Sequence, residues 1–149
     1  MYIIPILIIL LDQVTKYWAV NVLKEQEAII IIDRFLQLNF VKNYGAAFGI
    51  MQNQRAFFII ITSLIIIGIV YYIKKYNNTK IMNYSLLMII GGAIGNFIDR
   101  LRIQYVIDFI DIDFWGFYDF PVFNIADSFI VIGTILLVIL VLTNNHEVN

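Results

Sequence analysis

Four long apolar stretches constrain this chain more than any other feature of its sequence. They cover residues 1–18, 56–72, 82–98 and 125–142. Each approaches the ~20 apolar residues that a helix needs to cross the hydrocarbon core of a bilayer. Aromatic residues near their ends, such as Trp18, Tyr72 and Tyr84, are typical of anchors at a membrane interface. We therefore predict four transmembrane helices.

The composition agrees with lipid as the solvent for much of the surface. Hydrophobic residues make up 61% of the chain and charged residues 14%, whereas soluble domains average roughly 25% charged. The net charge of −1 gives no basic field, so we expect no nucleic-acid partner. The absence of cysteine excludes disulfides, thiolate metal sites and a cysteine nucleophile. The single histidine, His146, lies in a polar tail, and we expect it to be inert.

The charges near the apolar stretches predict how the chain crosses the membrane. The first stretch lacks a basic leader and is interrupted by Asp12 and Lys16, so we interpret it as a retained helix, not a cleaved signal peptide. The loop between the second and third stretches carries Lys74, Lys75 and Lys80 and no acidic residue. Positive-inside bias places that loop and both termini in the cytoplasm. The segments 19–55 and 99–124 would then face outward.

The first outward segment is too long for a bare connector between helices. Residues 28–41 are rich in Ile, Phe and Leu and partly alternate with polar residues, which favours strands at the membrane surface. Asn43, Tyr44 and Gly45 form a turn signal, and residues 46–51 are expected to begin a short amphipathic surface helix.

Ionisable groups at membrane depth are costly, so each invites a functional interpretation. Asp12 and Lys16 are one helical turn apart, and an ion pair that neutralises both is favoured over direct catalysis. In the third stretch, Gly91 and Gly95 form a small face that allows close helix packing. A second face of that helix carries an amide, a carboxylate and a guanidinium, which could equally hold a substrate backbone or fix a helix end: Asn96, Asp99 and Arg100.

The sharpest chemical signal is a pair of aspartates near the fourth stretch. Asp108 is flanked by apolar residues, and Asn124 is a natural N-cap that puts Asp127 near the third helical position. A capping role would explain Asp127 but not Asp108. If the two carboxyl groups meet, one keeps a proton and polarises a peptide carbonyl, while the ionised one activates water. Such chemistry requires no Ser, Cys, His or metal.

A metal site is the weaker interpretation of the acidic residues. Asp108, Asp111 and Asp113 form an oxygen-rich run, but it lacks the central Gly and terminal Glu of an EF-hand loop. We expect a solvated acidic loop with no metal and no cofactor.

Five motifs in order resemble the lipoprotein signal peptidase (signal peptidase II) family. They are DQVTK at 12–16, NYGAAFG at 43–49, GGAIGNFIDR at 91–100, VIDF at 106–109 and FNIADS at 123–128. The resemblance implies an all-α membrane protein, with four transmembrane helices, a small extracytoplasmic β-cradle from about residue 28 and a short surface helix. It also implies one integral membrane peptidase domain over residues 1–149.

The resemblance also implies roles for individual residues. Asp108 and Asp127 would be the catalytic dyad. Five further residues would line the site or position substrate, namely Asn43, Gly45, Asn96, Arg100 and Asn124. Three others, Asp12, Lys16 and Asp99, would support the site. Asp111, Asp113 and Asp119 fall outside the family motifs and stay unassigned.

The family's activity defines the expected partners and location. Its substrate is a prolipoprotein whose Cys already carries diacylglycerol, and cleavage occurs just before that Cys. Globomycin inhibits by occupying the site. The chain is thus expected in the bacterial cytoplasmic membrane, in contact with lipid, as a monomer, with its site towards the outer leaflet and no cofactor.

Two other classes of function remain as alternatives. A small transporter or channel would use the aspartates as proton or cation relays and would spread them through membrane depth. A scaffold without activity would use its polar residues to join helices, and it would tolerate Asp108→Asn.

Overall fold

The computed structural model describes residues 3–45, 50–76, 79–118 and 120–143. Four helices in these ranges are long and apolar enough to cross a membrane, so the predicted fold class is confirmed. They are α1 (Ile3–Val22), α2 (Arg55–Lys75), α3 (Lys80–Arg102) and α4 (Ile125–Leu142). Three strands, β1 (Ile29–Ile32), β2 (Leu36–Asn43) and β3 (Val106–Ile112), form one antiparallel sheet in the order β1-β2-β3.

The helices extend beyond several of the ranges predicted from hydropathy. Helix α1 continues to Val22, beyond the apolar stretch that ends at about residue 18. Its last turn is retained by packing, since Ala19 and the following Leu23 are buried against Ile107 and Phe109 of β3. Helix α3 likewise continues past residue 98 to Arg102. These added turns extend the helices towards the sheet and contain polar residues. Polar residues lower the mean hydropathy, so a hydropathy window ends before them.

Helix α3 is the centre of the bundle and contacts each of the other helices. Its small residues allow this close packing, as the sequence predicts. A Cβ at Gly91 would lie 2.9 Å from the Cβ of Ile8 in α1, and a Cβ at Gly95 would lie 2.5 Å from Oδ2 of Asp12. Helix α2, by contrast, has no buried residue and packs mainly against α3.

The sheet lies at one end of the helices and confirms the predicted strands in the first long loop. Strand β2 pairs with β1 on one side and with β3 on the other. The second pairing sets Asn43 opposite Val106 and Val41 opposite Asp108. It therefore joins the two loops that were predicted to face outward. Helix α2 ends and helix α3 begins with lysines at the opposite end of the bundle.

Some predicted features lie outside the described residues. Residues 46–49, where the surface helix was expected to begin, are among them, as are Asp119 and His146. Residues 50–53, at the end of the expected helix, form a turn in which Met51 and Asn53 have positive φ angles.

Candidate active site

The two predicted carboxylates face one cavity of about 640 Å³ between helices α2, α3 and α4. Asp108 lies in β3 with 1% of its surface exposed. Asp127 is the third residue of α4 and is partly buried. Asn124 contacts both: its side-chain nitrogen is 2.6 Å from Oδ1 of Asp108, and its backbone N–H donates to Oδ2 of Asp127 at 3.2 Å. The structure thus brings together two residues that are 19 positions apart in the sequence.

Asp108 is buried but well supplied with hydrogen-bond donors. Its Oδ2 accepts a hydrogen bond from the side chain of Asn43 at 2.9 Å, and its Oδ1 accepts the bond from Asn124. Burial, and then the negative charge of Asp127, raise the pKa of Asp108 to about 7, against the opposing effect of these donors and of Lys16. A carboxyl group with this pKa retains a proton up to neutral pH.

Asp127 is held by the first turn of its own helix and by α3. Asn124 and Asp127 form a complete capping box, in which the side chain of each accepts a hydrogen bond from the backbone N–H of the other. The remaining oxygen, Oδ1, accepts a hydrogen bond from the side chain of Asn96 at 2.7 Å. Capping therefore explains the position of Asp127 but uses only one of its two oxygens.

The amides beside the carboxylates have a fixed orientation. The side-chain oxygen of Asn43 accepts from the backbone N–H of Gly45 at 2.9 Å, and that of Asn124 accepts from the backbone N–H of Asp127 at 2.9 Å. Because a backbone N–H can only donate, each amide oxygen must face it. The amide nitrogens are then turned towards Asp108, which accepts from both.

Lys16 forms the centre of a buried polar network behind the cavity. Its ammonium lies 3.0 Å from Oδ2 of Asp12, 2.8 Å from Oδ2 of Asp99 and 2.9 Å from Oδ1 of Asn96. The predicted ion pair between Asp12 and Lys16 is therefore present, with Asp99 as a second partner. All three ammonium protons have an acceptor, as a buried lysine requires.

The carboxylates of this network connect the helices to one another. Asp12 accepts from the backbone N–H of Ala126 in α4 at 3.0 Å, and Asp99 accepts from the backbone N–H of Ile107 in β3 at 3.2 Å. Gln13, which sequence reasoning missed, donates to Asp99 at 3.0 Å and to Asp12 at 3.2 Å. Helix α1 thereby fixes the starts of the two segments that carry Asp108 and Asp127.

Arg100 borders the cavity on the side of the first outward loop. Its guanidinium donates to the backbone carbonyl of Gly45 at 3.2 Å and lies 4.8 Å from the centre of the Phe58 ring. Gly45 is needed at this point because a Cβ would lie 2.5 Å from the carbonyl oxygen of Ile50. The absence of a side chain at residue 45 allows it to pack directly against the backbone of Ile50 and Gln52.

The ten predicted site residues fall into two groups. Six of them line the cavity: Asn43, Gly45, Asn96, Arg100, Asp108 and Asp127. Behind them, Asn124, Asp12, Lys16 and Asp99 are buried in the network. Asp99 is thus turned towards α1, although its neighbours Asn96 and Arg100 face the cavity. The remaining wall is largely apolar and comes from all the elements around the cavity: α2, α3, α4, the start of β3 and residues 120–123.

The other acidic residues of the loop do not converge on Asp108. Asp111 accepts a hydrogen bond from Gln37 of β2 at 2.7 Å, and Asp113 accepts one from the backbone N–H of Gly116 at 2.8 Å. No group of three or more potential metal ligands exists within residues 3–45, 50–76, 79–118 and 120–143.

Comparisons with known proteins identify the family. The model of the family described as signal peptidase (SPase) II matches residues 4–143. The chain belongs to the signal peptidase II family. It is 49% identical to the lipoprotein signal peptidase of Caldanaerobacter subterraneus over 131 residues, with 87% of each chain covered. It is 45% identical to that of Clostridium tetani over 141 residues, with 94% of this chain and 90% of the relative covered.

A solved structure with the same fold supports this assignment. It is described as a bacterial membrane enzyme, and it matches with a TM-score of 0.89 at 40% identity, covering 95% of this chain and 87% of the other. Membership of the signal peptidase II family confirms the resemblance seen in the sequence. It makes the chain a multi-pass membrane peptidase whose family removes signal peptides from prolipoproteins in contact with lipid. A transporter or an inactive scaffold is therefore disfavoured.

Proposed function

We propose that this chain is an aspartic endopeptidase that cleaves diacylglyceryl-modified prolipoproteins just before the lipidated Cys. The observation that carries the proposal is that Asp108 and Asp127 face one cavity and share Asn124 as a hydrogen-bond donor. Two carboxyl groups in one partly dry site divide the roles of acid and base. No other pair of acidic residues among those that line the cavity is available for this chemistry.

In the proposed mechanism the dyad shares one proton in the resting enzyme. The ionised carboxylate removes a proton from a water molecule, and the oxygen of that water attacks the scissile carbonyl carbon. The protonated carboxyl donates its proton to the carbonyl oxygen, which gives a neutral tetrahedral diol. When this intermediate collapses, the C–N bond breaks, the leaving amine takes the proton that the dyad removed from water, and one hydroxyl of the diol returns its proton to the other carboxylate, which restores the resting dyad. The pair titrates as a unit, so the proton belongs to both groups.

The environment of each carboxyl group supports this division of labour. The pKa of Asp108 is raised to about 7 by burial and by the charge of Asp127, so one proton is retained at neutral pH. Asp127 lies in the first turn of α4, where the helix dipole favours negative charge. The fixed amides of Asn43, Asn96 and Asn124 hold the carboxylates in place without taking part in proton transfer, because an amide neither gains nor loses a proton at these pH values.

The walls of the cavity suit a lipidated peptide. They include apolar side chains of α2 and α4, such as Ile65, Val131 and Ile132. Acyl chains leave the bilayer only at a cost of about 0.8 kcal/mol for each CH₂ group. We therefore expect the substrate to enter sideways through the membrane and the acyl chains to stay in contact with lipid or with these walls.

Orientation in the membrane follows from charge. Lys74, Lys75 and Lys80 lie at the end of the bundle opposite β3, and positive-inside bias assigns that end to the cytoplasm. The proposed topology has both termini in the cytoplasm and the dyad towards the outer leaflet of the bacterial cytoplasmic membrane. The chain would act as a monomer, as one membrane domain over residues 1–149, and globomycin-type inhibitors would occupy the cavity.

The test uses purified enzyme in detergent and a diacylglyceryl-modified prolipoprotein, with cleavage followed by mobility shift and the cleavage site by mass spectrometry. The variants are Asp108→Asn and Asp127→Asn. The matched control is Asp111→Asn, which alters a buried carboxylate on the same strand that bonds to Gln37 outside the cavity. Thermal unfolding shows whether each variant is folded.

We expect both dyad variants to be folded and to lose at least about 10⁴-fold in kcat, since each removes one of the groups on which the chemistry depends. Asp111→Asn should cleave within a few-fold of the wild type. Normal cleavage by folded Asp108→Asn or Asp127→Asn would overturn the dyad, and cleavage elsewhere than before the Cys would overturn the proposed specificity.

A further inference from the structure

The segment just before α4 runs alongside β3 and borders the cavity. Phe123 forms an antiparallel bridge with Ile110: its N–H donates to the Ile110 carbonyl at 2.9 Å, and its carbonyl accepts from the Ile110 N–H at 2.8 Å. Three residues earlier, the N–H of Phe120 donates to the carbonyl of Ile112 at 3.0 Å. The segment thus follows the edge of β3 through one isolated bridge at Phe123, and it is irregular between Phe120 and Phe123, since both residues face β3 although they are three apart.

The backbone groups of Val122, in the same segment, do not pair with β3. Because the N–H and C=O groups of successive residues in a strand point to opposite edges, the pairing of Phe123 with β3 turns those of Val122 away from β3. Neither group of Val122 has a hydrogen-bond partner in the part of the chain that the structure describes. Pro121 has no N–H, so Val122 provides the one donor at this point of the edge.

Unpaired backbone groups in an apolar wall need an explanation. Residues 120–123 all border the cavity that holds Asp108 and Asp127, and the walls around them are largely apolar. Val122 is half-buried, and a peptide group that loses its water without gaining a partner costs up to about 1–3 kcal/mol. A peptide that enters this cavity has the same desolvation cost, because its own N–H and C=O groups leave water. A substrate strand beside Val122 would satisfy both sets of groups.

We propose that the backbone of Val122 binds the substrate as an added strand, through one N–H···O=C and one C=O···H–N bond to a single residue next to the scissile bond. The ligand class is an extended peptide backbone, and the recognition is independent of its side chains. The inference rests on the proposed function, since it assumes that the scissile peptide lies in the cavity of the dyad. It explains how one site can accept prolipoproteins that differ in sequence around the lipidated Cys.

The first experiment scans the substrate with the full enzyme in detergent. Synthetic diacylglyceryl lipopeptides carry one backbone ester in place of one amide at each position flanking the scissile bond, which removes a donor and weakens an acceptor. We expect two adjacent positions at which the ester raises KM about tenfold and leaves kcat within a few-fold: one removes the substrate N–H that donates to the Val122 carbonyl, and the other weakens the substrate carbonyl that accepts from the Val122 N–H. Val122→Ala keeps both backbone groups and should retain both sensitivities, whereas Val122→Pro keeps the carbonyl and should abolish only the second.

A second measurement does not depend on the proline variant folding. Hydrogen exchange of backbone amides is followed in Asp108→Asn enzyme with and without uncleaved lipopeptide. The Val122 amide should become protected at least about tenfold on binding. The Phe123 amide, which is bonded to Ile110 in either case, serves as the internal control and should change little.

The outcomes separate this inference from the proposed function. If the wild type cleaves the all-amide peptide but every ester is equally tolerated, or if Val122 exchanges equally with and without peptide, the strand at Val122 is overturned and the dyad is unaffected. If folded Asp108→Asn still cleaves, the proposed catalytic dyad is overturned, independently of the strand at Val122. Two adjacent sensitive positions, of which only the one that weakens the substrate carbonyl loses its sensitivity in Val122→Pro, would establish the pairing.

Discussion

The ammonium group of Lys16 lies 2.9 Å from the side-chain oxygen of Asn96. An ammonium group can only donate, so the oxygen of the Asn96 amide must face it and the amide nitrogen must face the other way. That nitrogen donates to Oδ1 of Asp127 at 2.7 Å. A residue of α1 thereby fixes the orientation of a carboxyl group in α4, although the two side chains are separated by the Asn96 amide.

Replacing Lys16 by Met should destabilise the protein severely. The variant leaves Asp12 and Asp99, both almost fully buried, without their cation, and breaking a buried pair in this way costs about 3–5 kcal/mol. The measurement is thermal unfolding in detergent, with cleavage activity assayed at a temperature where the variant is folded. We expect a large fall in Tm and also a reduced activity, because the oxygen of the Asn96 amide then keeps only the donor from Asn124 at 3.1 Å.

A triple variant separates the charge from the orientation. Lys16→Met combined with Asp12→Asn and Asp99→Asn removes the uncompensated charges and should recover part of the lost Tm. Activity should stay below that of the wild type, because Asn124 is then the one remaining partner of those that orient the Asn96 oxygen in the folded protein. Full recovery of cleavage together with stability would show that Lys16 serves only to neutralise its neighbours.

Gly95→Ala should disturb the same network from a different direction. The added Cβ would lie 2.5 Å from Oδ2 of Asp12 and 3.2 Å from the Cβ of Ala126, so the Asp12 carboxylate must shift and α4 must give way slightly. Overpacking of this kind costs about 1–3 kcal/mol. The matched control is Gly68→Ala in the middle of α2, where an added Cβ meets nothing within 4 Å. A similar loss of Tm in both variants would show that the close approach at Gly95 is unimportant.

The sequence predicted the features that depend on local pattern. Hydropathy located four helices, and a cap followed by an acidic residue located Asn124 and Asp127 at the start of α4. The sequence did not predict β3, because its apolar residues do not alternate regularly. Its partner β2 ends at Asn43, 63 positions before β3 begins at Val106, so the pairing leaves no local signal.

Contacts between distant segments account for the rest of what was missed. Gln13 lies inside a recognised motif, yet its bonds to Asp99 and to the carbonyl of Gly95 join helices that are more than 80 positions apart. Leu23 ends up buried because β3 covers it, and no window on α1 contains that strand. The unpaired backbone of Val122 carries no side-chain signal at all, since it follows from the pairing of its neighbour.

Arg55 should stabilise the end of α3 that carries Arg100. Its guanidinium donates to the backbone carbonyl of Arg100 at 2.7 Å and to that of Leu101 at 3.1 Å, which are among the unpaired carbonyls of the helix end. Arg55→Gln should cost about 1–3 kcal/mol, measured as a fall in Tm. The exposed Arg102 is the control, and Arg102→Gln should stay within about 0.5 kcal/mol of the wild type. Equal effects of the two changes would contradict a specific role for Arg55.

Cleavage should lose rate as the pH rises through neutrality. The pKa of Asp108 is raised to about 7, first by burial and then by the charge of Asp127. If the dyad works with one shared proton, kcat falls above about pH 7 as that proton is lost, approaching tenfold for each pH unit. Asp111→Asn should keep the same profile. A kcat that stays constant between about pH 6 and about pH 9 would contradict the proposed protonation state.

The raised pKa of Asp108 also makes the stability of the folded protein depend on pH. In the unfolded chain Asp108 titrates near 3.8, and in the folded chain near 7. The folded state therefore binds the proton more tightly, so the contribution of the protonated group to stability is complete below about pH 4 and is lost as the pH rises to about 7. Asp108→Asn is neutral throughout. Its Tm relative to the wild type should therefore increase across this range and level off above it, and a constant difference would show that Asp108 keeps its ordinary pKa.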